Sequence, residues 1–232
     1  MEEGQKKFYE GFLEETRKKC REAAGNPKIS KLEILSSLLR MRQVCCDPSL
    51  IPADAGVTMP ENTSSAKMEL LKELLLQTVD SGHRVLLFSQ FTSLLAIVRN
   101  FLEENEIAYE YLDGSTKDRF AHVDNFNNSP DIPVFLLSLK AGGLGLNLTS
   151  ADTVILYDPW WNPTAEAQAM DRSHRIGQTK KVNCVKLIVK DSVEEKVLEY
   201  QKIKQDLFRD VVENSTEGLR SLSLEDFEFL LS

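Results

Sequence analysis

The sequence predicts an α/β fold in which a mostly parallel sheet carries helices on both faces, preceded by a helical insertion. Three observations carry this expectation. Short apolar runs at Val85–Phe88, Val134–Leu139, Thr153–Tyr157 and Val182–Val189 are separated by longer segments with helical spacing. The runs are largely apolar, as strands covered on both faces are. The order of strand, turn and helix is that of parallel strands, whose crossovers need a connecting helix.

The elements follow in order. Residues 3–23 read as a helix, with Phe8, Phe12 and Leu13 apolar among charges. Residues 30–46 read as a second, in which Ser30 can cap and Glu33 stands three positions later, ahead of Leu35, Leu38, Leu39 and Met41. Pro48, Pro52, Gly56 and Pro60 mark 47–64 as a linker. Helical stripes at Met68–Leu76 and Leu94–Leu102 bracket the first strand. A long charged helix over 192–214 and a short one over 223–231 close the chain. No internal repeat is present.

Composition narrows the class. Of 232 residues, 42% are hydrophobic and 28% charged, which excludes disordered and collagen-like chains. No run approaches 18 uninterrupted apolar residues, and the N-terminus lacks the apolar core of a signal peptide, so no membrane association is expected. Cys20, Cys45, Cys46 and Cys184 show no C-x-x-C spacing and suggest neither a metal site nor a disulfide framework. The net charge of −8 argues against a generally basic nucleic-acid binder. It is uneven, however. Residues 166–190 hold six Lys or Arg against Glu166 and Asp171, whereas 191–232 hold five basic against eleven acidic residues. A local basic face is compatible with this, and so is an ordinary solvated surface.

In a parallel sheet, ligands gather beyond the C-terminal ends of the strands, and the polar clusters fall there. Ser89-Gln90 follows the first run, and Asp113-Gly114-Ser115 follows Tyr109–Leu112. After Ser138 comes a glycine segment carrying Lys140, Gly142, Gly143 and Gly145; Asp158-Pro159-Trp160-Trp161-Asn162-Pro163 follows the next run. The glycine segment is not a P-loop, for which the chain has no match, and Leu148 replaces the third glycine of a dinucleotide fingerprint. Its glycines suit either close approach of backbone N–H groups to an anion or simple tight turns. Trp160 and Trp161 can stack on a base, plug an interface or fill the core. Arg172 and Arg175, three apart in Gln168–Gln178, share a helix face. Two rigid guanidiniums there suit a phosphate tail, or a salt-bridged surface.

The ordered set of segments resembles the second RecA-like lobe of the Swi/Snf-type ATPases, DNA translocases within helicase superfamily 2. Val85–Phe91 (VLLFSQF) is similar to motif IV, Tyr111–Thr116 (YLDGST) to the motif after it, and Leu137–Leu148 (LSLKAGGLGLNL) to motif V. Ala151–Pro163 (ADTVILYDPWWNP) is similar to the next segment and Gln168–Gln178 (QAMDRSHRIGQ) to motif VI. Leu38–Pro48 resembles the helical insertion before lobe two, and Ser65-Ala66-Lys67 stands where the family commonly reads Ser-Gly-Lys. The P-loop and acidic magnesium box of the first lobe are absent from this chain.

The resemblance implies a division into three parts. Residues 1–64 would be the helical insertion and linker after an absent first lobe, 65–190 the RecA-like helicase C-terminal lobe, and 191–232 C-terminal helices bracing it. It also implies ATP-driven translocation on double-stranded DNA that remodels protein–DNA complexes, with a protein on that DNA as a further partner. ATP and Mg²⁺ would be bound mainly by the first lobe. Arg172 and Arg175 would be arginine fingers. Gln168, Gly142, Gly143 and Gly145 would line the ATP site. Ser89, Gln90, Gly114, Ser115, Ser138 and Lys140 would touch DNA phosphates. Of Trp160 and Trp161, one would be exposed and couple DNA contact to the cleft, and the other would pack on the sheet. The implied setting is the bacterial cytoplasm and nucleoid, or the nucleus of a eukaryote. The alternative is a non-catalytic nucleic-acid-binding or regulatory protein-interaction module.

Overall fold

In chain order, the helices of the computed structural model are α1 (Glu3–Gly25), α2 (Lys31–Cys46), α3 (Ala66–Asp80), α4 (Thr92–Glu104), α5 (Arg119–Asn128), α6 (Pro163–Met170), α7 (Val193–Ile203) and α8 (Leu224–Leu230). The strands are β1 (Val85–Ser89), β2 (Tyr109–Leu112), β3 (Val134–Ser138), β4 (Thr153–Leu156) and β5 (Asn183–Lys186). The structure describes residues 1–25, 31–52, 63–138, 146–161, 163–170, 180–203 and 223–232. Two compact units result: Met1–Glu69 with Ile188–Ser232, and Leu70–Leu187. The expected elements match these in place. Ser30, most of the linker, and the second half of the expected 192–214 helix lie outside the described residues.

The first unit is helical. Phe8 and Phe12, one turn apart on α1, meet edge-on at 5.3 Å. The Gln5 amide donates to the Val44 carbonyl of α2 at 2.8 Å, and the Tyr9 hydroxyl accepts the Val193 N–H of α7 at 2.7 Å. Ser65 caps α3: its hydroxyl accepts the Met68 N–H and donates to the Cys46 carbonyl at 2.7 Å. Two residues on, the Lys67 ammonium is buried against both Glu194 oxygens, at 2.6 and 2.5 Å. Burial opposes the Lys67 charge, but the Glu194 carboxylate outweighs it and holds its pKa above the usual value. Glu194 also accepts the Val189 N–H at 2.9 Å and sits in the first turn of α7, where the helix dipole favours an anion.

The second unit is built on one all-parallel sheet of order β2-β3-β1-β4-β5. Every residue of β1, β3 and β4 is buried, as covered central strands require. Leu86 and Phe88, Phe135 and Leu137, and Val154 and Leu156 alternate onto one face. There they pack with Val123 and Phe126 of α5 and with Trp160. The buried stripe Leu94, Leu95, Val98 and Leu102 lays α4 along β1 and β3. Asp118 caps α5 by accepting the Ala121 N–H. The edge strand β5 departs from the expectation of a buried run over Val182–Val189. Asn183, Cys184 and Lys186 are exposed, because among the described residues the strand has a neighbour on one side only.

Polar groups close the N-terminal end of the sheet. The Arg84 guanidinium lies 4.1 Å over the Phe126 ring and donates to the carbonyls of Phe126, in the last turn of α5, and of Ser129 and Ile132 beyond it. Asp152 accepts the Arg84 N–H at 3.1 Å and pairs with Lys180 at 3.0 Å. Burial raises the Asp152 pKa, but Lys180, His83 and the Arg84 N–H together outweigh it and hold the carboxyl below its usual value.

Lys67→Met leaves the Glu194 charge buried without its ammonium and is expected to cost about 3–5 kcal/mol in urea unfolding. The double variant Lys67→Met/Glu194→Leu should recover most of that loss, because no unpaired charge then remains.

Candidate functional site

The topology fixes where a crevice opens. The connection after β1 leaves toward β2, whereas that after β4 leaves toward β5, and β1 and β4 are neighbours. Such a switch in direction is where open parallel sheets bind ligands. Ser89-Gln90 ends β1 at this point, and Tyr157-Asp158 ends β4.

Asp158 joins the two strand ends. It is fully buried and accepts the Ser89 hydroxyl at 2.5 Å, and its oxygens lie 3.3 and 3.4 Å from the Gln90 N. The Ser89 hydroxyl in turn accepts the Phe91 N–H at 3.1 Å. Ser89 therefore points inward at 0% exposure, and its side chain is spent on the protein. Gln90 is half-buried at the rim.

At the end of β2 the chain turns through Asp113-Gly114-Ser115. The Asp113 carboxylate accepts the Ser115 N–H at 2.8 Å and its hydroxyl at 2.6 Å, and also the Tyr111 hydroxyl at 2.9 Å. The Ser115 hydroxyl, aided by these other donors, keeps the Asp113 carboxyl below its usual pKa. Gly114 and Ser115 stand exposed, with open space around the Gly114 Cα. Arg119 folds back onto the turn, donating to the carbonyls of Gly114 and Thr116, while Lys117 stays exposed beside it.

Ser138 ends β3, buried at 3% exposure, and its hydroxyl has no hydrogen-bond partner among the described residues. Lys140, Gly142, Gly143, Gly145, Arg172 and Arg175 lie outside the described residues. Gln168 falls in α6, whose first helical residue is Pro163, the position where a missing N–H costs nothing. Among the described residues no group of His, Cys, Asp or Glu could hold a metal ion.

The two tryptophans do not divide as expected. Trp160 is 3% exposed and Trp161 6%, so neither presents an open indole face. Trp160 meets Phe88 edge-on at 6.1 Å inside the core cluster, because that face of the sheet needs a large apolar body over β1. Its backbone N–H donates to Glu166 at 2.7 Å. Sequence reasoning passed over Glu166. It is 1% exposed and pairs with Lys186 of β5. The available signal was an acidic residue in the first turn of a helix, which says nothing about burial.

The helicase conserved C-terminal domain family matches residues 66–177. The ISWI chromatin-remodeling complex ATPase ISW1 of Saccharomyces cerevisiae is 41% identical over 229 residues, which cover 95% of this chain and 20% of that protein. The human chromatin-remodeling ATPase INO80 is 47% identical over 152 residues, covering 65% of this chain and 10% of that protein. The chain thus spans a fifth or less of the length of these two relatives. The solved C-terminal domain of the Sulfolobus solfataricus SWI2/SNF2 ATPase superposes with a TM-score of 0.70 at 30% identity, covering 97% of this chain and 92% of that one. The SWI2/SNF2 ATPase core from the same organism, in complex with dsDNA, gives 0.73 at 33% identity, covering 97% and 47%.

Both indoles being buried has a measurable consequence. The native chain, whose only tryptophans these are, should show blue-shifted emission that iodide quenches poorly. Trp160→Ala is expected to cost about 3–5 kcal/mol of stability through loss of a large core side chain, read as a lowered urea midpoint.

Proposed function

Because the chain belongs to the helicase C-terminal domain family, and within it to the SWI2/SNF2 ATPases, we propose that it is the second motor lobe of a double-stranded DNA translocase that remodels protein–DNA complexes. The observation that carries this is the superposition of 97% of the chain on an archaeal SWI2/SNF2 core complexed with dsDNA. The alignments with chromatin-remodelling ATPases of yeast and human support the remodelling part. They give no support to a bacterial nucleoid setting; a place on chromatin is the proposal that fits them. No described helix is long and apolar enough to cross a membrane.

The residues fit half of an ATP site. The chain has no P-loop match, and on this reading the triphosphate cradle and the Mg²⁺ ligands belong to a first lobe. What this chain offers a phosphate are donors. The buried Ser138 hydroxyl, which has no partner among the described residues, ends β3 just before the segment that carries Lys140, Gly142, Gly143 and Gly145. Arg172 and Arg175 follow Gln168 within the motif VI string. ATP, when bound, supplies the phosphoanhydride whose cleavage drives movement. Arg172 and Arg175 would face its γ-phosphate and would stabilise the charge that spreads over the transferring oxygens. A guanidinium suits this because its fork stays charged and bridges two oxygens. Gln168 and the Gly142–Gly145 backbone form the wall that senses the nucleotide.

On the DNA side, Gln90, Gly114, Ser115 and Lys140 meet backbone phosphates, with Ser138 beside them at the end of β3. Ser89 acts from behind, holding the Gln90 turn through Asp158. These contacts position the duplex and carry no base information. Trp160 and Trp161 serve the DNA side as the packed support of this rim.

Two measurements test the proposal. This chain alone should hydrolyse no ATP at enzymatic rates. In the full-length enzyme, Arg172→Ala or Arg175→Ala should cut turnover by about 10³–10⁵ while melting temperature and DNA affinity hold. Normal hydrolysis in both variants, with the fold intact, would defeat the assignment. Duplex binding by the chain should be weak and indifferent to sequence, with log affinity falling linearly in log salt. A thousandfold preference for one sequence at fixed salt would favour a specific binding module instead.

A further inference from the structure

The turn that follows β2 keeps its obvious donors for itself. Ser115 gives both its N–H and its hydroxyl to one Asp113 oxygen, at 2.8 and 2.6 Å. Thr116 gives its N–H to the Asp113 carbonyl at 3.3 Å, and its hydroxyl accepts the Asp113 N–H at 3.0 Å. Arg119 commits its guanidinium to the carbonyls of Thr116 and Gly114, at 3.2 and 3.1 Å. The Asp113 carboxyl, held below its usual pKa chiefly by the Ser115 hydroxyl, is ionised at neutral pH. A phosphate brought to this turn therefore meets a like charge and donors already in use.

Two side chains just beyond are uncommitted. Lys117 is exposed, and its ammonium has no partner among the described residues. Asp118, next to it, is turned to the Ala121 N–H. Phe120, in the first turn of α5, is 72% exposed, more than any other large apolar side chain among the described residues. Gly114 points the same way. Its φ is not positive, and a Cβ built on it would meet nothing within 4 Å. Neither backbone geometry nor internal packing calls for a glycine, so its missing side chain serves a body that approaches the backbone from outside.

We infer that Lys117 and Phe120 form a two-point grip on one strand of the duplex: the Lys117 ammonium neutralises a backbone phosphate, and the Phe120 ring lies on a deoxyribose beside it. Lys117 supplies the positive charge that the Asp113 turn lacks, and Gly114 lets the strand come close enough for both. Phosphate and sugar alternate along a strand, so a cation and an apolar ring set side by side match that alternation and read no sequence. Ser115 lies against the backbone as the shaped edge of the turn, with its donors facing Asp113. The unpaired ammonium and the open glycine backbone favour an anionic chain over an apolar protein surface as the partner of Phe120. The inference rests on the proposed function, in which this turn faces DNA.

The test uses the full-length enzyme. Affinity for a fluorescein-labelled duplex of mixed sequence is measured by anisotropy across a salt series for the native protein, Lys117→Gln, Lys117→Arg and Phe120→Ala, with melting temperature and DNA-free ATP hydrolysis alongside. Lys117→Gln should reduce the magnitude of the slope of log affinity against log salt by about 0.9, the value for one phosphate contact, and Lys117→Arg should keep the native slope. Phe120→Ala should weaken binding about tenfold, as burial of a phenyl ring implies, at an unchanged slope, because a ring releases no counterions. Melting temperature should stay native in all three, since both side chains are exposed. A native slope in Lys117→Gln, a lost slope in Lys117→Arg, or a native affinity in Phe120→Ala would each overturn the inference. Native affinity in Phe120→Ala together with slower DNA-free hydrolysis would put the ring on a protein surface and overturn it equally. A native enzyme that does not bind the duplex sinks the proposed function, and this inference with it. Salt-dependent binding by the native enzyme that all the variants reproduce sinks this inference alone.

Discussion

The second unit depends on one constraint: the central strands of its sheet have no free face. β1, β3 and β4 are buried along their whole length, so no polar side chain can emerge from the body of the sheet without an unpaired group in the core. Chemistry is pushed to the rim, where strands end and backbone turns. The strand order then decides which rims meet. With β1 beside β4, the residues after Phe88 and after Leu156 are brought together although about 70 positions separate them, as the Ser89–Asp158 bond shows.

Much of this was legible beforehand, and for identifiable reasons. Continuous apolar runs next to helical stripes can hardly pack except as a covered parallel sheet, so β1, β3 and β4 were readable. β2 was readable because Tyr109–Leu112 lies between two turn signals. β5 was readable as a strand but not as an exposed one, since no local pattern reveals that it sits at an edge. The fate of single side chains was less legible. Ser89 has the right chemistry for a phosphate contact and stands in the right place, yet its hydroxyl turns inward because Asp158 offers a stronger, charged acceptor at 2.5 Å. The tryptophans looked like stacking platforms, but the hole over Phe88 claimed Trp160. The partners of Lys67 and Glu166 are set by tertiary contact, which no local pattern encodes: Lys67 meets Glu194 across 127 positions.

Buried carboxylates paired with a lysine recur in both units: Glu194 with Lys67 in the helical one, and Asp152 with the exposed Lys180 and Glu166 with Lys186 in the sheet unit. Such pairs are poor sources of stability compared with apolar packing of equal volume, because desolvation consumes most of the attraction. What they supply is definition. A carboxylate that must face one ammonium and one backbone N–H accepts few alternative geometries, whereas an apolar side chain slides among many. In the sheet unit both pairs sit beside the motif VI string, Glu166 shortly before it and Lys180 just after it. Its flanks are therefore anchored, although acidic residues dominate the chain as a whole.

The edge position of β5 has a practical side. Of the four cysteines, Cys20, Cys45 and Cys46 are buried and Cys184, on β5, is exposed. Burial raises the pKa of the Cys45 thiol well above its ordinary value and closes it to solvent, so a thiol-directed probe meets one open sulfur on a wild-type surface. That sulfur stands two residues from Lys186. A fluorophore placed there without any engineered mutation would sit on the edge of the sheet, as a native handle for watching this unit one molecule at a time.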